Sequence, residues 1–203
     1  MFKKNGYTVV KNVISKDLAN FLNSYFLLKK QLCNFLNERN ELSPFDSSYG
    51  NFTDKQVPGS YSHYADITFE NLLIQLKPLT EKNTGLKLIE NYSYARIYIE
   101  NNELKRHKDR RSCEISTTLN LGGDNWPIYL DPTGKTNNKG IEINLNPGDM
   151  LIYRGCDLEH WREPFTGKTC SQVFLHYNDI SNKDFIKYDN RPMLGLSTRY
   201  KND

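Results

Sequence analysis

The sequence predicts an α+β fold in which helices from the first part of the chain pack on one side of a closed or double-sheeted β core. Three observations predict it. The spacing of apolar residues changes from a helical period before residue 86 to short strand-like runs after it. Aromatic residues reach 12% (13 Tyr, 10 Phe, 2 Trp), which suits a sheet-rich interior better than a plain helical bundle. Turn signals then recur between the strand-like runs, as at Gly122-Gly123-Asp124-Asn125, Thr133-Gly134, Pro147-Gly148-Asp149 and Thr166-Gly167.

Each element follows in order. Gly6–Val10 is a β-rich opening. Ser15 offers an N-cap, and apolar residues at 18, 21, 22, 25, 28, 32, 35 and 36 predict a long helix that ends near Asn40. Residues 43–65 are polar, turn-rich and aromatic. They read as a long loop, and Tyr49, Phe52, Tyr61 and Tyr64 in it are expected to select a substrate. Phe69–Leu79 carries a second amphipathic helix, closed by Gly85. Strands are expected at Tyr92–Glu100, Glu114–Leu121, Trp126–Leu130, Gly140–Leu145, Met150–Tyr153 and Gln172–Tyr177. With no repeat, low-complexity tract or evident linker, residues 1–203 are expected to form one domain. Its helical part is 1–85, its β core 86–180 and its tail 181–203.

Composition removes several function classes. The balance of 27 basic and 24 acidic residues, or +3, does not argue for a nucleic-acid partner. No stretch approaches the roughly 18 consecutive apolar residues of a membrane span. The opening MFKKNGYTVV lacks the apolar core of a secretory signal, so a cytoplasmic location is expected. Cys33, Cys113, Cys156 and Cys170 form no CxxC pair or zinc-finger spacing, and are expected to be reduced thiols.

Chemistry concentrates around two of the four histidines. His107-Lys-Asp109 places an imidazole and a carboxylate two residues apart, so that on a strand or strand end both can reach one ion. His160 follows 51 residues after Asp109. Two histidines and one carboxylate with open positions make the facial triad of non-haem Fe(II) sites. Tyr98 stands nine residues before His107 on a strand, and Pro147-Gly148-Asp149 leads into the strand before His160-Trp-Arg-Glu-Pro.

In this order of elements the sequence resembles the 2-oxoglutarate- and Fe(II)-dependent oxygenases, in their prolyl-hydroxylase-like branch. The resemblance runs from Gly6 to about Asp179 and implies a double-stranded β-helix (jelly-roll) core with the N-terminal helices on one sheet. It implies that His107, Asp109 and His160 are iron ligands and that Tyr98 hydrogen-bonds the co-substrate. The family places a basic residue past the distal histidine to grip the far carboxylate of 2-oxoglutarate. Lys168, eight residues past His160, and Arg162, two past it, both compete for that role. Thr118 and Ser171 offer weaker hydroxyl partners. The implied cofactors are Fe(II), 2-oxoglutarate and O2, and the implied reaction is oxidative decarboxylation to succinate and CO2 coupled to hydroxylation of a C–H bond. A prolyl or other peptidyl residue is the leading substrate.

Rival readings stand beside this one. A small-molecule hydroxylase, acting on a free amino acid or a metabolite, would use the same centre, and a metal-free jelly-roll binding module would keep the fold alone. Lys105, Arg106, Lys108, Arg110 and Arg111 crowd the HxD and would add positive potential that draws a dianion. Arg110 and Arg111 could instead pair with Glu114 or Glu163. His176, in an apolar strand, reads as a core histidine, and Trp126 and Trp161 read as packing residues.

Overall fold

The computed structural model describes residues 2–43, 46–134 and 138–202. Residues 44 and 45 of the expected 43–65 loop lie outside it. Three helices come early: α1 (Phe2–Asn5), α2 (Lys16–Glu38) and α3 (Ile67–Thr84). Ten strands follow the chain: β1 (Tyr7–Val10), β2 (Tyr61–Tyr64), β3 (Leu88–Ile99), β4 (Leu104–His107), β5 (Ile115–Gly123), β6 (Ile128–Asp131), β7 (Ile141–Ile143), β8 (Met150–Arg154), β9 (Glu159–Arg162) and β10 (Thr169–Asp179). They form a six-stranded sheet in the order β1-β8-β5-β10-β3-β2 and a four-stranded sheet in the order β4-β9-β6-β7, with antiparallel pairing throughout. Two facing antiparallel sheets built from strands that alternate between them make a double-stranded β-helix, as expected.

Period-two alternation divides the larger sheet into two faces. Ala95 and Ile97 of β3, Ile115 and Leu119 of β5, Ile152 of β8 and Val173 and Leu175 of β10 face the helices. There they pack on Leu22 and Phe26 of α2 and Phe69, Leu73 and Leu76 of α3. The opposite face, with Tyr98, Leu151, Tyr153, Cys170 and Phe174, closes on the smaller sheet through Leu104, Ile128, Leu130 and Ile143. No helix among the described residues is long and apolar enough to cross a membrane.

The helix ends match their sequence signals. The Ser15 side chain accepts a hydrogen bond from the Leu18 N–H at 3.1 Å, and Gly85 closes α3 at φ 72°, a left-handed turn that favours glycine. The apolar residues at helical spacing in α2 divide between surface and core. Leu18, Phe21, Leu28, Leu32 and Phe35 are exposed, while Leu22 is buried together with Ala19, Phe26 and Cys33. The aromatic cluster decides the face, because Phe26 wedges against Tyr61 and Phe69 with ring centroids 5.1 and 5.3 Å away.

Three strands lie where none was expected. β2 sits inside the 43–65 loop, and β4 (LKRH) and β9 (EHWR) are short and charged, so neither shows the β-branched runs that mark the others. These last two carry His107 and His160.

Candidate active site

β4 and β9 pair so that His107 stands directly opposite His160. The pairing of Leu104 with Arg162 would put Arg106 opposite His160 in a regular ladder, but the register shifts by one residue between Leu104 and His107. This bulge re-aims His107 into the barrel and turns Arg106 outward, where its guanidinium pairs with Asp131 and Glu159 and lies 4.3 Å from the Trp161 ring. Asp109 lies just past the end of β4. Its backbone N–H donates to the Gly155 carbonyl at 2.9 Å, which turns the carboxylate back toward the two imidazoles.

The three side chains converge. Asp109 Oδ1 lies 3.6 Å from His107 Nε2 and 3.5 Å from His160 Nε2, and the two rings are 4.2 Å apart. Each imidazole has its other nitrogen on a backbone carbonyl: His107 Nδ1 on Lys105 O at 2.7 Å, and His160 Nδ1 on Leu158 O at 3.1 Å. A carbonyl only accepts, so both Nδ1 atoms carry the proton and both Nε2 lone pairs point inward in the neutral rings. In metal sites such a backbone contact fixes the tautomer and orientation of a ligating histidine. Ligands about 2.1 Å from an ion lie on the order of 3 Å apart when adjacent, so the observed separations fit one ion held by these three atoms. Asp109 stays well below the usual carboxylate range: burial pushes its carboxyl up, and the His107 and His160 imidazoles, in their protonated forms, lower it by more.

A second group, Asp109, Cys113 and His176, is also close enough to share an ion. Burial pushes the Cys113 thiol far up, the Asp109 charge adds to that, and its sulfur is 2.9 Å from Tyr92 Oη.

A cavity of about 190 Å³ opens at the first group. Its walls include Tyr92, Tyr94 and Arg96 of β3, Phe174 and His176 of β10, and Tyr153 of β8. Asp54 and Gln56 of the loop before β2 form its roof. Asp54 pairs with the Arg96 guanidinium and accepts from Tyr94 Oη at 2.6 Å, while Gln56 Nε2 reaches His107 Nε2 at 3.0 Å. The four aromatic residues expected to select substrate do not line this cavity. Tyr49, Phe52 and Tyr61 pack into the helix-side core, and Tyr64 stacks on Tyr92 at 4.9 Å with its hydroxyl donating to Asp189. Their apolar surface is worth more against α2 than at the mouth of a polar cavity.

The remaining sequence-named residues divide. Tyr98 is fully buried one step along β3 from Arg96, which donates to its hydroxyl at 3.0 Å, and its ring meets Trp126 edge-on at 4.7 Å. Arg162 is 1% exposed, with its guanidinium 5.0 Å from the Trp126 ring. Its Nη1 donates to the Trp126 carbonyl and its Nε has no partner; among the described residues no carboxylate pairs with it. Lys168 is exposed before β10, where its backbone N–H donates to Asp124 at 2.6 Å. Thr118 donates its hydroxyl to Gln172 at 3.0 Å. The basic cluster is mostly neutralised: Arg106 by Asp131 and Glu159, Arg110 by Asp189 and Arg111 by Asp184, rather than by Glu114 or Glu163. Sequence reasoning missed Arg96, although Tyr92, Tyr94, Arg96 and Tyr98 alternate along one strand face and give a readable signal.

No known family profile matches the chain, and no curated protein matches it. Solved structures do. A prolyl-4-hydroxylase from Pseudomonas putida is 14% identical, with a TM-score of 0.59 over 88% of this chain and 95% of that one. An oxidoreductase of the 2OG-Fe(II) oxygenase family from Burkholderia pseudomallei is 11% identical, with a TM-score of 0.62 over 87% of each chain. HygX from Streptomyces hygroscopicus, with nickel, 2-oxoglutarate and hygromycin B bound, is 13% identical, with a TM-score of 0.62 over 92% of this chain and 86% of that one. The chain has the double-stranded β-helix fold found in 2-oxoglutarate/Fe(II)-dependent oxygenases.

Proposed function

We propose that the protein is a 2-oxoglutarate- and Fe(II)-dependent dioxygenase that hydroxylates a C–H bond, with a prolyl or other peptidyl residue as substrate and succinate and CO2 as co-products. The observation that carries this reading is the pair of histidines whose Nδ1 atoms are committed to backbone carbonyls, so that both Nε2 lone pairs and one Asp109 oxygen face a common point. His107, Asp109 and His160 hold the iron. Iron with its keto-acid co-substrate and O2 supplies the oxidising chemistry, and the chain supplies binding, orientation and exclusion of water.

Arg162 holds the far carboxylate of 2-oxoglutarate. Two residues along β9 from His160, it is displaced by roughly 7 Å on the same strand face. A buried guanidinium with an unpartnered Nε is short of an anion, and its planar fork suits a carboxylate. Lys168 is left outside this role, and Tyr98 shares the Trp126 ring with Arg162, next to the cavity rather than in its lining.

A peptidyl substrate is favoured by size. The cavity of about 190 Å³ is smaller than the roughly 300–1,000 Å³ of pockets that enclose a drug-sized ligand, so it admits the co-substrate and one reaching side chain. The roof formed by Asp54 and Gln56 favours a second reading, in which a free amino acid or metabolite is enclosed. We read residues 1–203 as one oxygenase domain working in the cytoplasm, where its four free cysteines stay reduced. Succinate formation with Fe(II), ascorbate and 2-oxoglutarate tests the proposal. Prolyl peptides should stimulate it and free amino acids should not, with no activity in His107→Ala. Stimulation by free amino acids alone would transfer the assignment to the second reading, and no succinate with any substrate would refute both.

A further inference from the structure

Behind the His107–Asp109–His160 group the main sheet forms a socket around the Asp109 carboxylate. Ser116 of β5 donates its hydroxyl to Asp109 Oδ2 at 2.7 Å. The Cys113 carbonyl is a competing acceptor at 3.0 Å, but the shorter, charged acceptor takes the proton. His176 Nδ1 lies 3.0 Å from the same Ser116 oxygen, whose only proton is committed, so the imidazole is the donor. The chain of donors runs from His176 through Ser116 to the carboxylate, and Ser116 and His176 are 0% and 6% exposed. Tyr92 packs on the His176 ring at 4.6 Å and fixes its plane.

Gly155 completes the socket. A Cβ there would collide with Asp109 Oδ2 and with the Cys113 carbonyl, and would come within 2.6 Å of Ser116 Oγ. The glycine is needed for room, and its carbonyl also accepts from the Asp109 N–H at 2.9 Å. The two carboxylate oxygens therefore differ: Oδ1 faces both imidazoles, while Oδ2 is enclosed and hydrogen-bonded.

We infer that Ser116, His176 and Gly155 form a positioning socket that makes Asp109 a one-oxygen ligand. The inference rests on the iron-binding reading above. A carboxylate that chelated with both oxygens would take one of the open positions that a facial triad leaves for co-substrate and O2. The three residues act through Asp109.

Co(II), an oxygen-stable substitute for Fe(II), tests this on the full chain. The unaltered protein, Ser116→Ala, Gly155→Ala and His176→Phe are titrated with Co(II), followed by equilibrium dialysis and by the visible spectrum of the bound ion. His176→Phe keeps the ring on Tyr92 and removes only the donor, so it serves if the other two do not fold, and thermal melting of metal-free protein checks each fold. Ser116→Ala and Gly155→Ala should weaken Co(II) by about 10–100-fold, the usual loss for outer-shell partners, and His176→Phe by less. All three should change the shape of the visible band, because the freed Oδ2 can reach the ion. Folded variants that bind within about threefold of the unaltered protein, with its spectrum, would overturn the socket and leave the iron reading standing. Absence of Co(II) binding by the unaltered folded protein would overturn both.

Discussion

A guanidinium buried without a carboxylate carries a desolvation penalty of several kcal/mol that an arriving anion relieves. Arg162 is in that state, whereas Arg96, equally buried, already has Asp54. Lys168, the other basic residue that the sequence offered for this role, is exposed and carries no such penalty. Losing one partner of a buried charge pair costs about 2–5 kcal/mol, and each 1.4 kcal/mol is about tenfold. Arg162→Leu should therefore raise the KM for 2-oxoglutarate by about 30-fold or more, while Lys168→Ala leaves it unchanged, as measured by succinate formation. The reverse pattern would return the role to Lys168. At this scale His107, Asp109 and His160, which we propose as iron ligands, were legible as a group because HxD and a distal histidine are local signals. Ser116 and His176 were not, because they meet only when β5 and β10 pair side by side.

The elements most important for the site were the hardest to see. β4 and β9 consist of LKRH and EHWR, where histidines and ion-pairing residues displace the β-branched residues that announce strands. The bulge in β4 is invisible without its partner, yet it decides whether His107 or Arg106 faces His160. Strands β3, β5, β8 and β10 were legible, since one face packs on helices and the other on the second sheet, and both demand apolar or aromatic side chains. The loop before β2 is held over the cavity chiefly by Asp54, which binds Arg96 and Tyr94. Burial raises the Asp54 carboxyl, but the Arg96 charge and the Tyr94 hydrogen bond bring it below its ordinary value. Asp54→Ala would leave Arg96 buried and unpaired, so stability to denaturant should fall by about 3–5 kcal/mol. A loss under about 1 kcal/mol would mean that the loop is held by other contacts.

Across the whole molecule, the segment after β10 returns to the loop that carries Asp109 and Arg110. Tyr188, Asp189 and Asn190 have φ of 53°, 56° and 63°, three successive left-handed residues that cost roughly 1–2 kcal/mol each. Asp189 offsets this by accepting both Arg110 nitrogens at 2.6 and 2.7 Å, Tyr64 Oη at 2.7 Å and Lys201 Nζ at 2.6 Å. Arg110 is the residue after Asp109, so the tail and the site share one ion pair. Burial raises the Asp189 carboxyl, but hydrogen bonds from Arg110 and Lys201 outweigh it and hold the group far below the usual range. A depressed carboxylate contributes stability above its unfolded pKa of about 3.9 and loses it as the pH falls below that value. Asp189→Asn should therefore melt earlier than the unaltered protein at pH 7, and the gap should shrink as the pH drops below about 4. A gap constant across that range would show that Asp189 acts by packing rather than by charge.

The most direct test of the account is anaerobic titration of the purified protein with Fe(II) and 2-oxoglutarate, followed by visible absorption. A keto acid chelated to Fe(II) gives a metal-to-ligand charge-transfer band. The account predicts that the band appears with the unaltered protein, fails to form in His107→Ala and Asp109→Ala, and needs far more 2-oxoglutarate in Arg162→Leu. Folded protein that gives no band at saturating Fe(II) and 2-oxoglutarate would contradict the account.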